Sequence, residues 1–281
     1  MSTEAAESPS ALPAVAVVGG GVMGGTLISA MRVAGWPGGS ITVANRGAER
    51  RDALVAAHGI NAAEDAVAAV TGAGIVVLAV KPQQMGEVLD TISDAVAPGT
   101  LVVTVAAALP SSFYEERLPA GTPVVRAMPN TPSVVGRGAT SVSAGAHATE
   151  EHLALAERML RATGLVVRVP EEQIDAVIAV AGSAPAYYYA ITEALTEAGV
   201  MQGLDRDLAT LLAQQTFTGA AQLLAESGDT PQELRRRVSS PGGTTLAALE
   251  AMEHAGLQGV ISAGANAAVA RSKELGAQLA G

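Results

Sequence analysis

A chain of 281 residues, 49% of them hydrophobic, can fill one large or two ordinary cores. Its formal net charge of −10 argues against a nucleic acid or an anionic membrane surface as partner. The absence of cysteine excludes disulfides, thiolate metal sites and a cysteine nucleophile, and with aromatics at 2% the core must be mostly Ala, Val, Leu and Ile.

Met1–Leu12 is polar, carries Glu4 and Glu7 and has no basic segment, so it reads as a frayed tail and not a secretory signal. The longest apolar runs, near Ile75–Val80 and Leu101–Leu109, fall short of a membrane span, and a soluble cytoplasmic protein is expected. The first element is the strand Ala14–Val18, which stops at glycines spaced G-x-G-x-x-G: Gly19, Gly21 and Gly24. A helix follows through Leu27, Ile28, Ala30 and Met31. In such a unit the first glycine makes the turn, the second admits a pyrophosphate and the third lets helix and strand pack closely. The helix N-terminus then faces the phosphates, and a dinucleotide site is favoured over a plain strand–helix turn.

Next come a strand Ser40–Ala44, a helix Ala48–His58 closed by Gly59, a short helix Glu64–Val70 and a strand Gly74–Val80. Gln84–Val96 reads as helix, Thr100–Val105 as strand, Ser111–Leu118 as a helical turn and Pro123–Ala127 as strand. Ala139–Ala144 and Gly164–Val169 are further strands, with a helix Glu150–Ala162 between them. This alternation predicts parallel strand–helix–strand units in a doubly wound sheet. From Glu171 to Gly281 the patterns are helical: Glu171–Ala181, Ala184–Gly199, Asp205–Glu226, Thr230–Val238, Thr244–Glu253 and Leu257–Leu279. Several are apolar on more than one face, as at Leu208, Leu211, Leu212, Ala213 and Phe217. Such helices must be buried on most sides, and a segment this small has little interior, so it is expected to pack against a second copy. The expected division is a tail 1–12, a nucleotide-binding domain 13–170 and a helical domain 171–281.

An NAD-binding unit of this kind places an acid at the end of its second strand. Here that place holds Asn45-Arg46, and an arginine suits a 2′-phosphate, so NADP is favoured and NAD has the lower preference. Lys81, one of two lysines, ends a buried strand, where ligands of open α/β sheets bind, although a lysine reaching solvent would look the same. Val105–Ala107 should lie beside it near the nicotinamide. Arg126–Pro132 is a proline-fixed loop, read alone as a rigid turn. Ser239-Ser240-Pro241-Gly242-Gly243-Thr244-Thr245 precedes a helix. Gly242 and Gly243 would bare backbone N–H groups for a substrate carboxylate, with Ser240, Thr244 and Thr245 adding hydroxyls. An ordinary helix cap is the alternative. The four histidines are scattered without metal-ligand spacing, and Ser183 follows no strand, so it is no nucleophile elbow.

The assembled pattern resembles the pyrroline-5-carboxylate reductase family over nearly the whole chain after the tail. The resemblance rests on Val18-Gly19-Gly20-Gly21-Val22-Met23-Gly24, Ala79-Val80-Lys81-Pro82-Gln83, Arg126–Pro132, Gly182–Tyr187 and Val238–Leu249, the last being the family's signature. It implies a Rossmann-like domain followed by an all-α dimerisation domain, and NADPH-dependent reduction of 1-pyrroline-5-carboxylate to L-proline. It implies cofactor contacts at Val18–Gly24, Asn45, Arg46, Val80, Lys81, Pro82, Val105, Ala106 and Ala107. The substrate set is Ser240, Gly242, Gly243, Thr244 and Thr245, with Thr245 the catalytic hydroxyl at the ring nitrogen. It also implies rings of dimers. The family usually has glycine where this chain has Ala108 and Ala184. Other readings are a β-hydroxyacid dehydrogenase, which wants a lysine where none precedes Lys273, and a non-catalytic NADP-binding protein.

Overall fold

The structure, a computed structural model, describes residues 12–280. The expected frayed tail lies outside them except for Leu12, which packs against the core. The chain divides into two compact units: residues up to Gly182 together with those from Val269 onward, and Ser183–Ala268.

The first unit is one eight-stranded sheet in the order β3-β2-β1-β4-β5-β6-β7-β8. Its strands are β1 (Val15–Val18), β2 (Ile41–Ala44), β3 (Asn61–Ala62), β4 (Ile75–Leu78), β5 (Leu101–Thr104), β6 (Val124–Met128), β7 (Gly138–Ala144) and β8 (Gly164–Arg168). Short β-branched runs such as Val15-Ala16-Val17-Val18 and Ile75-Val76-Val77-Leu78 are buried on both faces, the mark of a parallel sheet covered twice. Alternate residues feed two cores. Val15, Val17, Ile75 and Val77 face α1 (Val22–Val33), α2 (Ala48–His58) and α6 (Glu150–Leu160). Ala16, Val18, Val76 and Leu78 face α3 (Ala66–Val70), α4 (Met85–Ile92) and α5 (Ser111–Glu115).

The sheet departs from the all-parallel expectation at β7, which runs antiparallel to β6 and carries β8 with it. The cause is the connection: Thr131–Val135 is a short 3₁₀ turn ending at Gly136, with no crossover helix to reverse the chain. Antiparallel neighbours need no more than that.

This unit also continues past Pro170, the expected boundary. The carboxylate of Glu171 accepts from the Ser111 N–H at 2.8 Å, the Ser111 hydroxyl at 3.0 Å and Arg126 at 3.1 Å. Asn130 donates to the Ala181 carbonyl at 3.0 Å, while its own oxygen accepts from the Ala139 N–H. Helix α7 (Ile174–Val177) buries Ile174 and runs into a π-helical turn, Ile178–Gly182. The π turn ends at Gly182 and Ser183 is a bend, so the helix breaks where the sequence reading cut it, at Gly182-Ser183. Pooled across that bend, Glu171–Met201 is 31 residues with a mean hydropathy of 1.2 over 18 of them, long and apolar enough by length and composition alone to cross a membrane.

The second unit holds α8 (Ala184–Met201), α9 (Arg206–Ser227), α10 (Pro231–Val238), α11 (Thr244–His254) and the start of α12 (Leu257–Ala280). The Asp205 carboxylate caps α9 by accepting from the Asp207 and Leu208 N–H groups. Arg206 pairs with Glu197 across the α8–α9 turn.

Candidate functional site

The glycines after β1 sit where their roles require. Gly19 has φ +104, and a Cβ there would lie 2.7 Å from the Ala79 backbone. A Cβ on Gly24 would lie 2.0 Å from the Gly19 carbonyl, so only glycine lets α1 meet the strand so closely. Gly21 meets nothing within 4 Å: its backbone borders open space. It is also the N-cap of α1 and no side chain caps that end, so the first amides of α1 are free for an anion.

That open space is a groove of about 370 Å³ across the carboxyl ends of β1, β2 and β4. The strand order reverses between β1 and β4, the place where open α/β sheets bind nucleotides. Of the residues expected there, Val18, Gly19, Gly21, Asn45, Arg46, Val80 and Lys81 line it. Arg46 and Lys81 are exposed. Gly20, Val22, Met23, Gly24, Pro82 and Val105–Ala107 are not in its lining. Gly24 is spent on helix–strand packing, and Met23 packs on the core. The Val105 N–H donates to the Leu78 carbonyl.

Asn45 does more than border the groove. Its oxygen accepts the Gly20 N–H at 3.0 Å and its amide nitrogen donates to the Gly47 carbonyl at 3.0 Å. The Gly20 amide is therefore committed to the protein, and Asn45 ties the end of β2 to the glycine loop. Sequence reasoning missed one wall of the groove, made by Glu64 and Asp65 before α3, Ala66 at its start, Gln84 before α4 and Glu87 and Thr91 on it. Asp65 was readable as the α3 cap, and its carboxylate accepts the Ala68 N–H at 2.8 Å.

From the end of β5 onward buried polar side chains stand among the apolar core, Thr104, Ser111 and Arg126 among them. The Thr104 hydroxyl donates to the Tyr114 hydroxyl at 2.7 Å. Burial pushes the Tyr114 phenol up to about 12, against the Thr104 bond and the Arg126 charge, which lower it. Tyr114 is therefore a neutral, structural hydroxyl. Ala108 has φ +71, the only positive φ outside glycine among the described residues. The glycine expected there from the family pattern is explained by this backbone.

In the second unit, Ser240–Gly243 forms a tight turn with Pro241 second and Gly242 third, at φ +72. The Gly243 N–H donates to the Ser240 carbonyl at 3.0 Å, which corrects its expected role as a bare donor. A Cβ on Gly243 would lie 2.5 Å from the Ser240 hydroxyl oxygen, so Gly243 serves the turn. It is the N-cap of α11, and no side chain caps that end. The unpaired amides are those of the first helical turn, Thr244, Thr245 and Leu246. Thr244 is exposed and Thr245 half-buried.

Residues 171–275 match the family model described as pyrroline-5-carboxylate reductase dimerisation, and residues 14–108 match one described as NADP oxidoreductase, coenzyme F420-dependent. A pyrroline-5-carboxylate reductase of Pseudomonas aeruginosa is 40% identical over 268 residues, 95% of this chain and 98% of that protein. The chain belongs to the pyrroline-5-carboxylate reductase family. Two solved pyrroline-5-carboxylate reductase structures agree. That from Coxiella burnetii has a TM-score of 0.89 at 36% identity and covers 94% of this chain and 98% of its own. That from Plasmodium falciparum, with NADP bound, has a TM-score of 0.82 at 25% identity and covers 95% and 100%. The family assignment accounts for both units: the reductase's glycine loop lies in the first match, and the Ser240–Thr245 turn in the dimerisation match.

Proposed function

We propose that this chain reduces 1-pyrroline-5-carboxylate to L-proline with NADPH, the last step of proline biosynthesis. The observation that carries this reading is a family likeness running along nearly the whole chain, from the nucleotide-binding match through the dimerisation match. The groove fits the cofactor on its own chemistry, with a side-chain-free backbone at Gly21, uncapped amides at α1 and an unpartnered cation at Arg46 among the described residues. NADPH supplies the hydride when bound. The chain's part is to hold phosphate on the α1 amides, to meet the 2′-phosphate with Arg46 and to place Lys81 beside the ribose and phosphates.

The imine nitrogen takes its proton from water before binding, which makes the ring carbon ready to accept hydride. The chain then needs orientation and a weak donor, not a strong acid. The α11 amides and the Ser240 hydroxyl receive the substrate carboxylate, and the Thr245 hydroxyl meets the ring nitrogen. The functional form is a homodimer through 171–281, assembled further into a ring of dimers. It works in the cytoplasm without nucleic acid or membrane, its apolar helices being covered by protein.

The test is NADPH oxidation with pyrroline-5-carboxylate, run beside NADH and repeated with Arg46→Asp. Wild type should turn over with NADPH preferred. The substitution should shift the preference toward NADH by about tenfold or more, since it removes a charged phosphate partner and installs a repelling carboxylate. No turnover above buffer would defeat the reading, and a parallel change for both cofactors would remove Arg46 from the 2′-phosphate.

A further inference from the structure

The last helix ends its course against the sheet unit, at the loop that follows β5. Gly276 of α12 lies on that loop: a Cβ there would stand 2.8 Å from the Ala108 carbonyl oxygen. One turn earlier the Ser272 hydroxyl donates to the Asp175 carboxylate at 2.7 Å. One turn later Leu279 packs on the core beneath β4 and β5. Successive turns thus fix the end of α12 on α7, on the Ala108 carbonyl and on the core. From the other side the Thr104 hydroxyl, fixed on Tyr114, accepts the Ala106 N–H at 3.4 Å.

Between these two supports Ala108 takes φ +71, a backbone that residues with a Cβ avoid. Such a conformation persists only where the surroundings over-determine it, and it clusters at functional sites. The loop stands at the carboxyl end of β5, on the ligand side of an open sheet. We propose that the end of α12 is a positioning element for the nicotinamide end of the cofactor site, with Gly276 as the positioning residue that sets the Val105–Ala108 loop. This rests on the reading that puts the nicotinamide beside that loop. Gly276 touches neither cofactor nor substrate in this account. It acts through the Ala108 carbonyl, which any larger residue would displace.

The experiment compares wild type, Gly276→Ala and the double variant Gly276→Ala/Ala108→Gly as assembled enzymes. Their kcat, their affinity for NADPH and their affinity for adenosine 2′,5′-bisphosphate, which lacks the nicotinamide, are measured. Gly276→Ala should lower kcat and weaken NADPH by about tenfold, because small misplacements of a reacting group are costly. The bisphosphate should bind within about twofold of wild type, its contacts being remote from the loop. Glycine at 108 lets the loop yield without strain, so the double variant should recover most of the loss. An equal loss of both ligands, or a lowered melting temperature with kcat and NADPH affinity unchanged, would overturn the proposal.

Should Gly276→Ala fail to fold, hydrogen exchange on wild type decides. NADPH, but not the bisphosphate, must slow exchange both in residues 105–109 and in 272–279. Slowing in the loop alone overturns the proposal. A wild type that binds NADPH but does not reduce pyrroline-5-carboxylate defeats the functional reading, while the binding and exchange results still judge this one.

Discussion

Both faces of the N-terminal sheet are closed by the chain's own helices, and Val17, Ile75, Val76, Leu78 and Val103 are at most 1% exposed. In Ser183–Ala268, by contrast, only Ala184, Thr196, Ala209 and Ala213 are buried. Large apolar side chains stand open there, among them Leu211 at 64%, Val260 at 67% and Leu212 at 49%. A helix is held in water chiefly by burying its apolar face. The sheet unit meets that need within one chain, whereas the helical unit lacks the layer that would cover it. Scattered apolar residues on a surface are ordinary, but contiguous ones mark an interaction face. The match to a dimerisation model over 171–275 says what kind of layer is missing.

Leu212→Glu breaks this contrast most sharply. Leu212 lines an apolar groove with Leu195, Ala198, Leu204 and Ala209. On a free surface the substitution should cost less than about 0.5 kcal/mol. Under a partner subunit it buries an unpaired carboxylate, at a cost of several kcal/mol on the order expected for an uncompensated charge. Sedimentation should show the assembly reduced to monomers, with activity lost by about a hundredfold or more, since that cost exceeds two decades of equilibrium. The same change at an exposed position of the sheet unit, Leu165→Glu, should leave mass and activity near wild type. If Leu212→Glu stays assembled and active, the open face of α9 is not an interface.

The same contrast governs what the sequence made legible. Strands β1, β4 and β5 were plain because a self-sufficient core writes itself as β-branched runs, and Gly59 closes α2 in the left-handed conformation expected of a stop. The reversal at β7 was not legible, since it depends on the absence of a crossover between Met128 and Gly138. Asn45 was picked as a cofactor residue, yet its two hydrogen bonds go to Gly20 and Gly47, partners 25 and 2 positions away that no spacing rule joins. Around Gly243 the turn before a helix was legible, but the amide read as bare is bonded, because a Pro-Gly turn consumes it. In the helical unit the elements could be read, and their broadly apolar faces already pointed to a second copy as the covering, in keeping with the dimerisation match.

Thr245, the proposed donor to the ring nitrogen, sharpens the comparison. The α11 turn is preformed by local bonds, so a hydroxyl on its first turn is held in place even where little else is buried. Thr245→Ala should lower kcat and kcat/KM together by about ten- to hundredfold, as expected for one hydrogen bond tightened in the transition state. Thr244→Ala, at the exposed neighbour, should cost much less, and NADPH affinity should hold in both. Steady-state kinetics of the two variants decide it. A larger loss at Thr244 would move the donor to that residue.

The smallest effect tests how tightly the sheet unit is determined. Ala108 at φ +71 carries a left-handed penalty of about 1–2 kcal/mol that glycine would not. Glycine, however, frees the unfolded chain at a cost of about 0.4–1 kcal/mol. The two terms oppose each other, so Ala108→Gly should be neutral to stabilising, by at most about 1.5 kcal/mol on the difference of those ranges. The corresponding rise in melting temperature is no more than about 6 °C for a chain of this size. Ala56→Gly is the matched control: it sits exposed inside α2, where glycine has only its cost. That variant should lose about 1 kcal/mol. The sign of the difference between the two substitutions isolates the backbone at 108, because chain entropy is common to both. If both lose stability equally, Ala108 is not strained in solution, and the loop after β5 relaxes to a conformation that an alanine accepts.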